Sequence, residues 1–212
     1  LSKKIRKALD EAGMQDCQIV VSNSLDEFLI ESLLSQGAQI DSLGVGENLV
    51  TSKSSPVFGG VYKLCAVIKD GEIIPKIKVS ENIEKVTNPG MKNLYRIYDK
   101  ESGMALGDIM TLVDETLDPS QDLTIYHQMN YWKNKPIPNG SYELRDLLVP
   151  IFIDGQLVYD CPSLAEIRAY SEKELSHLWD EVKRFTYPQT YYVDLSRKLL
   201  DLKMKMLEEV PK

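Results

Sequence analysis

Two Asp-Gly dipeptides, Asp70-Gly71 and Asp154-Gly155, each stand between apolar runs, and they constrain this chain more than any other feature. Asp and Gly tolerate the positive φ angles of turns whose twist matches antiparallel strands. Val61 to Ile68 with Ile73 to Val79, and Leu147 to Ile153 with Leu157 to Tyr159, are therefore expected to be β-hairpins. Leu94 to Tyr98 and Ile109 to Val113, around Glu101-Ser102-Gly103, make a further one. Pro119 to Asn139, polar and proline-containing, with Tyr126, Tyr131 and Trp132, is expected to be a long surface loop.

The first part of the chain follows another grammar. Ser2 to Ala12 reads as a helix closed by Gly13, and Cys17 to Val21 as a short buried strand. Ser24 and Glu27 have capping-box spacing, which predicts a helix there with Leu25, Phe28, Leu29, Ser32 and Leu33 facing inward and Gly37 at its end. A second strand is expected at Gln39 to Ser42, before Gly44-Val45-Gly46. Alternation on this scale argues for parallel strands with crossover helices, whose sites lie at the carboxyl ends of the strands. At the other end, Ser163 and Glu166 form a second capping box, and Leu164, Ile167, Leu175, Leu178, Trp179, Val182 and Phe185 trace one helical face. After Pro188 a last helix is expected from about Leu195 to Glu208, with Leu195, Leu199, Leu202 and Met206 on one stripe.

Composition excludes several function classes. Lys and Arg number 25 against 32 Asp and Glu, a net charge of −7, so a nucleic-acid grip that needs a basic face is not expected. No apolar run approaches the roughly 18 to 20 residues that span a bilayer, and Ser2 to Lys7 leads into Ala8-Leu9-Asp10-Glu11 instead of a signal-peptide core, so no membrane association is expected. Cys17, Cys65 and Cys161 lack metal-site spacing and fit a reducing cytoplasm, each packing as a small apolar residue. A chain beginning at Leu1 is expected to start within a longer protein.

For chemistry, the informative segment is Gly44-Val45-Gly46. Glycines let consecutive backbone N–H groups converge into a nest that holds a phosphate without a local cation. Ser22, Asn23 and Ser24 end the preceding strand, and if the two strands are parallel neighbours both tips would share one anion. The same residues are equally compatible with a tight turn at the glycines and simple helix capping by Ser24. His127 and His177 have no partner at metal-ligand spacing; His177 is expected to face solvent from a helix, and His127 lies in the loop, within reach of a ligand or another subunit. No catalytic residue and no metal ligand is identified, and no Gly-x-Ser-x-Gly, Walker or His-Glu-x-x-His motif occurs.

A series of motifs in fixed order then becomes informative: Gly44-Val45-Gly46 with Leu49, Gly59-Gly60-Val61-Tyr62-Lys63-Leu64, Lys76 to Asn82 with Glu84 to Gly90, and Tyr95 to Asp99. Leu148 to Phe152, Pro162 to Arg168 and Val193 to Ser196 continue it almost to the end. The series resembles the C-terminal part of the nicotinate phosphoribosyltransferase family. The resemblance implies an α/β fold: the last βα units of an irregular α/β barrel (1–54), antiparallel β hairpins with a long loop (55–160), and a C-terminal helical region (161–212). It also implies coupling of nicotinate to phosphoribosyl pyrophosphate, giving nicotinate mononucleotide in NAD salvage, by a cytoplasmic homodimer. By motif match, Ser22, Asn23, Ser24, Gly44, Val45 and Gly46 would bind the 5-phosphate. Mg²⁺ and ATP are implied for the intact enzyme and none for this chain alone, because the family's Asp-Ser-Gly-Asp segment and its phosphorylated histidine would precede Leu1. The chain alone is expected to be inactive. Where many relatives have Thr-Arg, it has Glu47-Asn48, and Glu47 is expected to turn outward or meet a cation from a partner. The alternatives are a non-catalytic oligomerisation module, built on the C-terminal helices and the Tyr126 to Trp132 loop, and a nicotinamide-specific relative.

Overall fold

The computed structural model describes residues 1–57, 59–81 and 85–209; Asn82 and Glu84 of the motif series, and 210–212 of the C-terminal region, lie outside them. The chain divides into two compact units, Leu1–Val61 and Tyr62–Lys212.

The first unit contains α1 (Ser2–Glu11), β1 (Val20–Ser22), α2 (Glu27–Ser35), β2 (Ser42–Gly44) and α3 (Glu47–Val50). Strands β1 and β2 pair in parallel, as the alternation predicts, but each begins later than its apolar run. The Asp41 side chain accepts the Ile19 N–H at 2.7 Å, and the Asp41 and Ser42 N–H groups both donate to the Ile19 carbonyl. A side-chain-locked junction thus replaces the first rungs of the ladder. The capping box expected at Ser24 does not form. Asp26 caps α2, its carboxylate accepting the Leu29 N–H at 2.8 Å, while Ser24 lies outside the helix at φ +50°. Of the expected inner face only Leu25 is buried, and Phe28 and Leu29 are exposed. Cys17 and Cys161 are also exposed, contrary to their expected burial, and Cys65 is half-buried.

In the second unit, Asp70-Gly71 and Asp154-Gly155 each hold two successive positive φ angles. They close the hairpins β3 (Ala66–Lys69) with β4 (Glu72–Pro75), and β10 (Phe152–Ile153) with β11 (Gln156–Leu157). The main sheet has six strands in the order β8-β7-β12-β6-β5-β9: β5 (Lys92–Asp99), β6 (Ala105–Leu112), β7 (Leu123–Tyr126), β8 (Asn134–Ile137), β9 (Tyr142–Asp146) and β12 (Val193–Leu195). The stretch expected to be a loop, Pro119 to Asn139, instead contributes β7 and β8. Leu123 and Ile125 alternate inward with Thr124 and Tyr126, and Pro136 is tolerated because β8 is an edge strand. Ile97, Ile109, Leu123, Ile125, Ile137 and Tyr142 form one core cluster.

Leu195 belongs to β12, not to the last helix, which is α6 (Arg197–Glu208), capped by Ser196. Leu195, Leu199 and Leu200 form a second core cluster. The Ser163–Glu166 capping box is present at α4 (Leu164–Ser176), but that helix ends before Trp179, which precedes the short α5 (Asp180–Lys183). No residue of α4 is buried, so the expected apolar face is not a core face. Helix α4 is fixed to the sheet through Glu174 instead. Arg96 donates to both oxygens of Asp108, at 2.9 and 3.1 Å, and to Glu174 at 2.9 Å; Arg145 grips the same Glu174 with both Nη atoms. His177, at the end of α4, is half-buried, with Nδ1 2.9 Å from the Gly103 carbonyl and its ring against Tyr98.

Candidate functional site

The parallel register places Ser22 directly opposite Gly44, so the strand tips carrying Ser22-Asn23-Ser24 and Gly44-Val45-Gly46 are hydrogen-bonded neighbours. Close approach explains Gly44: a Cβ there would lie 3.0 Å from the Ser22 Cβ. Gly46 differs, since a Cβ at this position would meet nothing within 4 Å. Asn23 and Ser24 adopt φ of +94° and +50°, a left-handed excursion rare for residues with a side chain. Their side chains and that of Ser22 are exposed. Asn48 holds the two loops together, its Nδ2 donating to the carbonyls of Ser24 at 3.2 Å and Leu25 at 2.9 Å. Glu47 is exposed.

The first i to i−4 bond of α3 runs from the Val50 N–H to the Gly46 carbonyl, so the N–H groups of Gly46, Glu47 and Asn48 have no intrahelical partner. At α2 the terminus is already served by a carboxylate, that of Asp26, which repels an anion. Residues 20–52 contain no Lys or Arg, while Asp26, Glu27, Glu31, Asp41 and Glu47 are acidic. Any phosphate here would be held by main-chain N–H groups and hydroxyls, with its charge balanced from outside this segment. Neither histidine belongs to this loop pair. Among the described residues, no group of three or more His, Cys, Asp or Glu side chains could hold a metal ion.

The second unit holds a cavity of about 450 Å³ that the sequence did not announce, with His127, Asp194 and Lys203 set in a lining that also includes Met129, Tyr191 and Tyr192. Its signal was weak, because Asp194 and Lys203 each lie in stretches that read as apolar stripe or motif. Among the described residues, no helix is long and apolar enough to cross a membrane.

A parallel strand pair with a glycine loop at its carboxyl end, joined in sequence to a largely antiparallel sheet, defines a mixed α/β chain with its candidate site where such sheets hold ligands. Residues 91–203 match the family described as nicotinate phosphoribosyltransferase C-terminal domain. The chain is 41% identical to the nicotinate phosphoribosyltransferase of Bacillus subtilis over 210 residues, 99% of this chain and 42% of the relative. It is 34% identical to the Homo sapiens enzyme of the same name over 93% of this chain and 37% of the relative. The crystal structure of human nicotinic acid phosphoribosyltransferase superposes with a TM-score of 0.67 at 27% identity, covering 97% of this chain and 38% of that one. The chain belongs to the nicotinate phosphoribosyltransferase family, matching its C-terminal domain, and spans about two fifths of the length of these relatives.

Proposed function

We propose that this chain is the C-terminal portion of a nicotinate phosphoribosyltransferase and that Ser22, Asn23, Ser24, Gly44, Val45 and Gly46 cradle the 5-phosphate of phosphoribosyl pyrophosphate. The observation carrying this reading is the pairing of Ser22 with Gly44, which puts both loops at one end of one sheet. In such a transfer the pyridine nitrogen displaces pyrophosphate from the anomeric carbon, and much of the acceleration comes from holding the two partners in line. The chain's own residues would do only the holding: main-chain N–H groups of the glycine loop and the hydroxyls of Ser22 and Ser24 fix the phosphate, hence the ribose. Stabilising the leaving group falls to residues outside this chain, as does any Mg²⁺ or ATP the intact enzyme uses.

Exposure within the first unit supports its being the last part of a barrel. Parallel strands are ordinarily covered on both faces and a two-stranded sheet is marginal alone, yet Val20 is 64% exposed. Ile5, Ile19, Val21, Leu33 and Ile40 line an open cleft of about 610 Å³, an apolar surface that further strands would cover.

The test is a titration of the chain with ribose 5-phosphate, followed by backbone amide chemical shifts. Shifts confined to 22–24 and 44–48 are the expected result; no movement there up to tens of millimolar, or movement only elsewhere, would end the assignment.

A subunit-contact role is favoured by a separate observation. Phe152, Leu164 and Trp132 are exposed at 66%, 82% and 66%. Sedimentation of the intact protein with Leu164→Glu distinguishes this, a shift toward monomer being the outcome the contact role requires.

A further inference from the structure

Among the described residues, the second unit buries three charged side chains by nine tenths or more, and two of them, unlike Asp108 on Arg96, have no ion-pair partner within salt-bridge distance. Lys203 on α6 is 5% exposed and Asp194 on β12 is 6% exposed, and both line the cavity of about 450 Å³. Burying an isolated charge is costly, and a structure retains one when hydrogen bonds or a ligand compensate it. The Lys203 ammonium donates to the Asn88 Oδ1 at 2.8 Å and the Gln128 carbonyl at 3.1 Å, both neutral acceptors, and has no carboxylate partner among the described residues. An ammonium has three donors, so among the described residues one is without an acceptor. Burial depresses the Lys203 pKa and raises that of Asp194, although His127, the Gln128 backbone N–H and Lys135 oppose the latter. His127 uses Nδ1 to accept the Met129 and Asn130 N–H groups at 3.1 Å, which leaves Nε2 as the ring's free donor when neutral. Lys133 adds a second cation to the lining, and Tyr191 and Tyr192 add aromatic wall.

We propose that this cavity is a second ligand site, taking a small anion that carries a hydrogen-bond donor beside its charged group, as a hydroxy acid or a polyol phosphate does. Lys203 and Lys133 receive the anionic group, and Asp194 accepts from the neighbouring hydroxyl. The volume lies within the range of roughly 300 to 1,000 Å³ typical of small-molecule sites. A bare anion would add a second negative charge to the cavity that holds Asp194, whereas a ligand hydroxyl gives that carboxylate a further donor and makes the two buried charges compatible with one ligand.

The test uses the whole 212-residue chain and three probes: lactate, glycerol 3-phosphate and acetate, each titrated with residue-resolved chemical shifts. The expected result is saturable movement of signals from 127–133 and 190–194, with lactate bound about tenfold more tightly than acetate, as one hydrogen bond to a charged group would give. Asp194→Asn should abolish that preference, and Lys203→Met should remove binding at this cavity while leaving any response at 22–24 and 44–48 intact. Glycerol 3-phosphate binding more tightly than lactate would identify a phosphate ligand, and the reverse a carboxylate. Should Lys203→Met fail to fold, Lys133→Met at the rim is read instead, with several-fold weakening expected. Absence of saturable binding by all three probes, or binding indifferent to Asp194 and to the lysines, would overturn the proposal.

Discussion

Gly44 and Gly46 differ in what they tolerate, although they look alike in sequence. A side chain at Gly44 collides with Ser22 and would pry the strand tips apart, whereas Gly46 has open space around it but holds φ −116° and ψ −107°, outside the regions that residues with a Cβ favour. Substitution at Gly46 therefore tests the loop backbone together with ligand access, and KM for nicotinate, read beside KM for phosphoribosyl pyrophosphate, separates a local loss from a general one. Asp194 makes a second residue-scale case. Its carboxyl is held above the ordinary value of about 3.9 mainly by burial, so between that value and its native pKa the folded protein retains a proton the unfolded chain has lost. Stability contributed by this group is thus greatest at low pH and declines as pH rises through the window. Asp194→Asn removes that decline: thermal melts should show the variant gaining over the wild type at pH 7 and converging with it near pH 4. A constant difference at all pH values would show that Asp194 is not the group responsible.

At the scale of elements, α4 is attached by charge and not by apolar packing. Glu174 bridges Arg96 and Arg145, and the Arg145 hydrogen bonds hold its carboxyl below the usual range. This stabilisation is fully present above the ordinary carboxylate value of about 4.3 and is lost as pH falls through the native one. Glu174→Ala, which leaves Arg145 without its carboxylate while Arg96 keeps Asp108, should cost about 1 to 2 kcal/mol and flatten the acid limb of the stability profile, measured by denaturant unfolding from pH 3 to 7. The sequence disclosed the hairpins because Asp70-Gly71 and Asp154-Gly155 act locally, and it disclosed the α4 cap for the same reason. It concealed β7 and β8, since four-residue runs such as Leu123-Thr124-Ile125-Tyr126 depend on partners far along the chain. It misassigned the cap of α2, because Ser24 and Asp26 both offer an oxygen and only the left-handed turn at Asn23-Ser24 decides between them. The glycine loop was legible as a candidate from its position after a strand. The cavity at Asp194 and Lys203 was not, as it gathers residues from 86 to 203.

For the whole molecule, the matched relatives are more than twice as long as this chain, and the proposed function assigns it one wall of a site. The chain alone should form no nicotinate mononucleotide above background in an end-point assay with nicotinate, phosphoribosyl pyrophosphate, ATP and Mg²⁺; clear turnover would show that it contains the catalytic groups. The central claim, that the paired strand tips seat the sugar's phosphate, is tested most directly by Gly46→Val in the intact longer protein. KM for phosphoribosyl pyrophosphate should rise about tenfold or more, the loss expected from one or two charge-assisted hydrogen bonds, while KM for nicotinate changes far less. Equal changes in both constants, or none in either, would contradict the account.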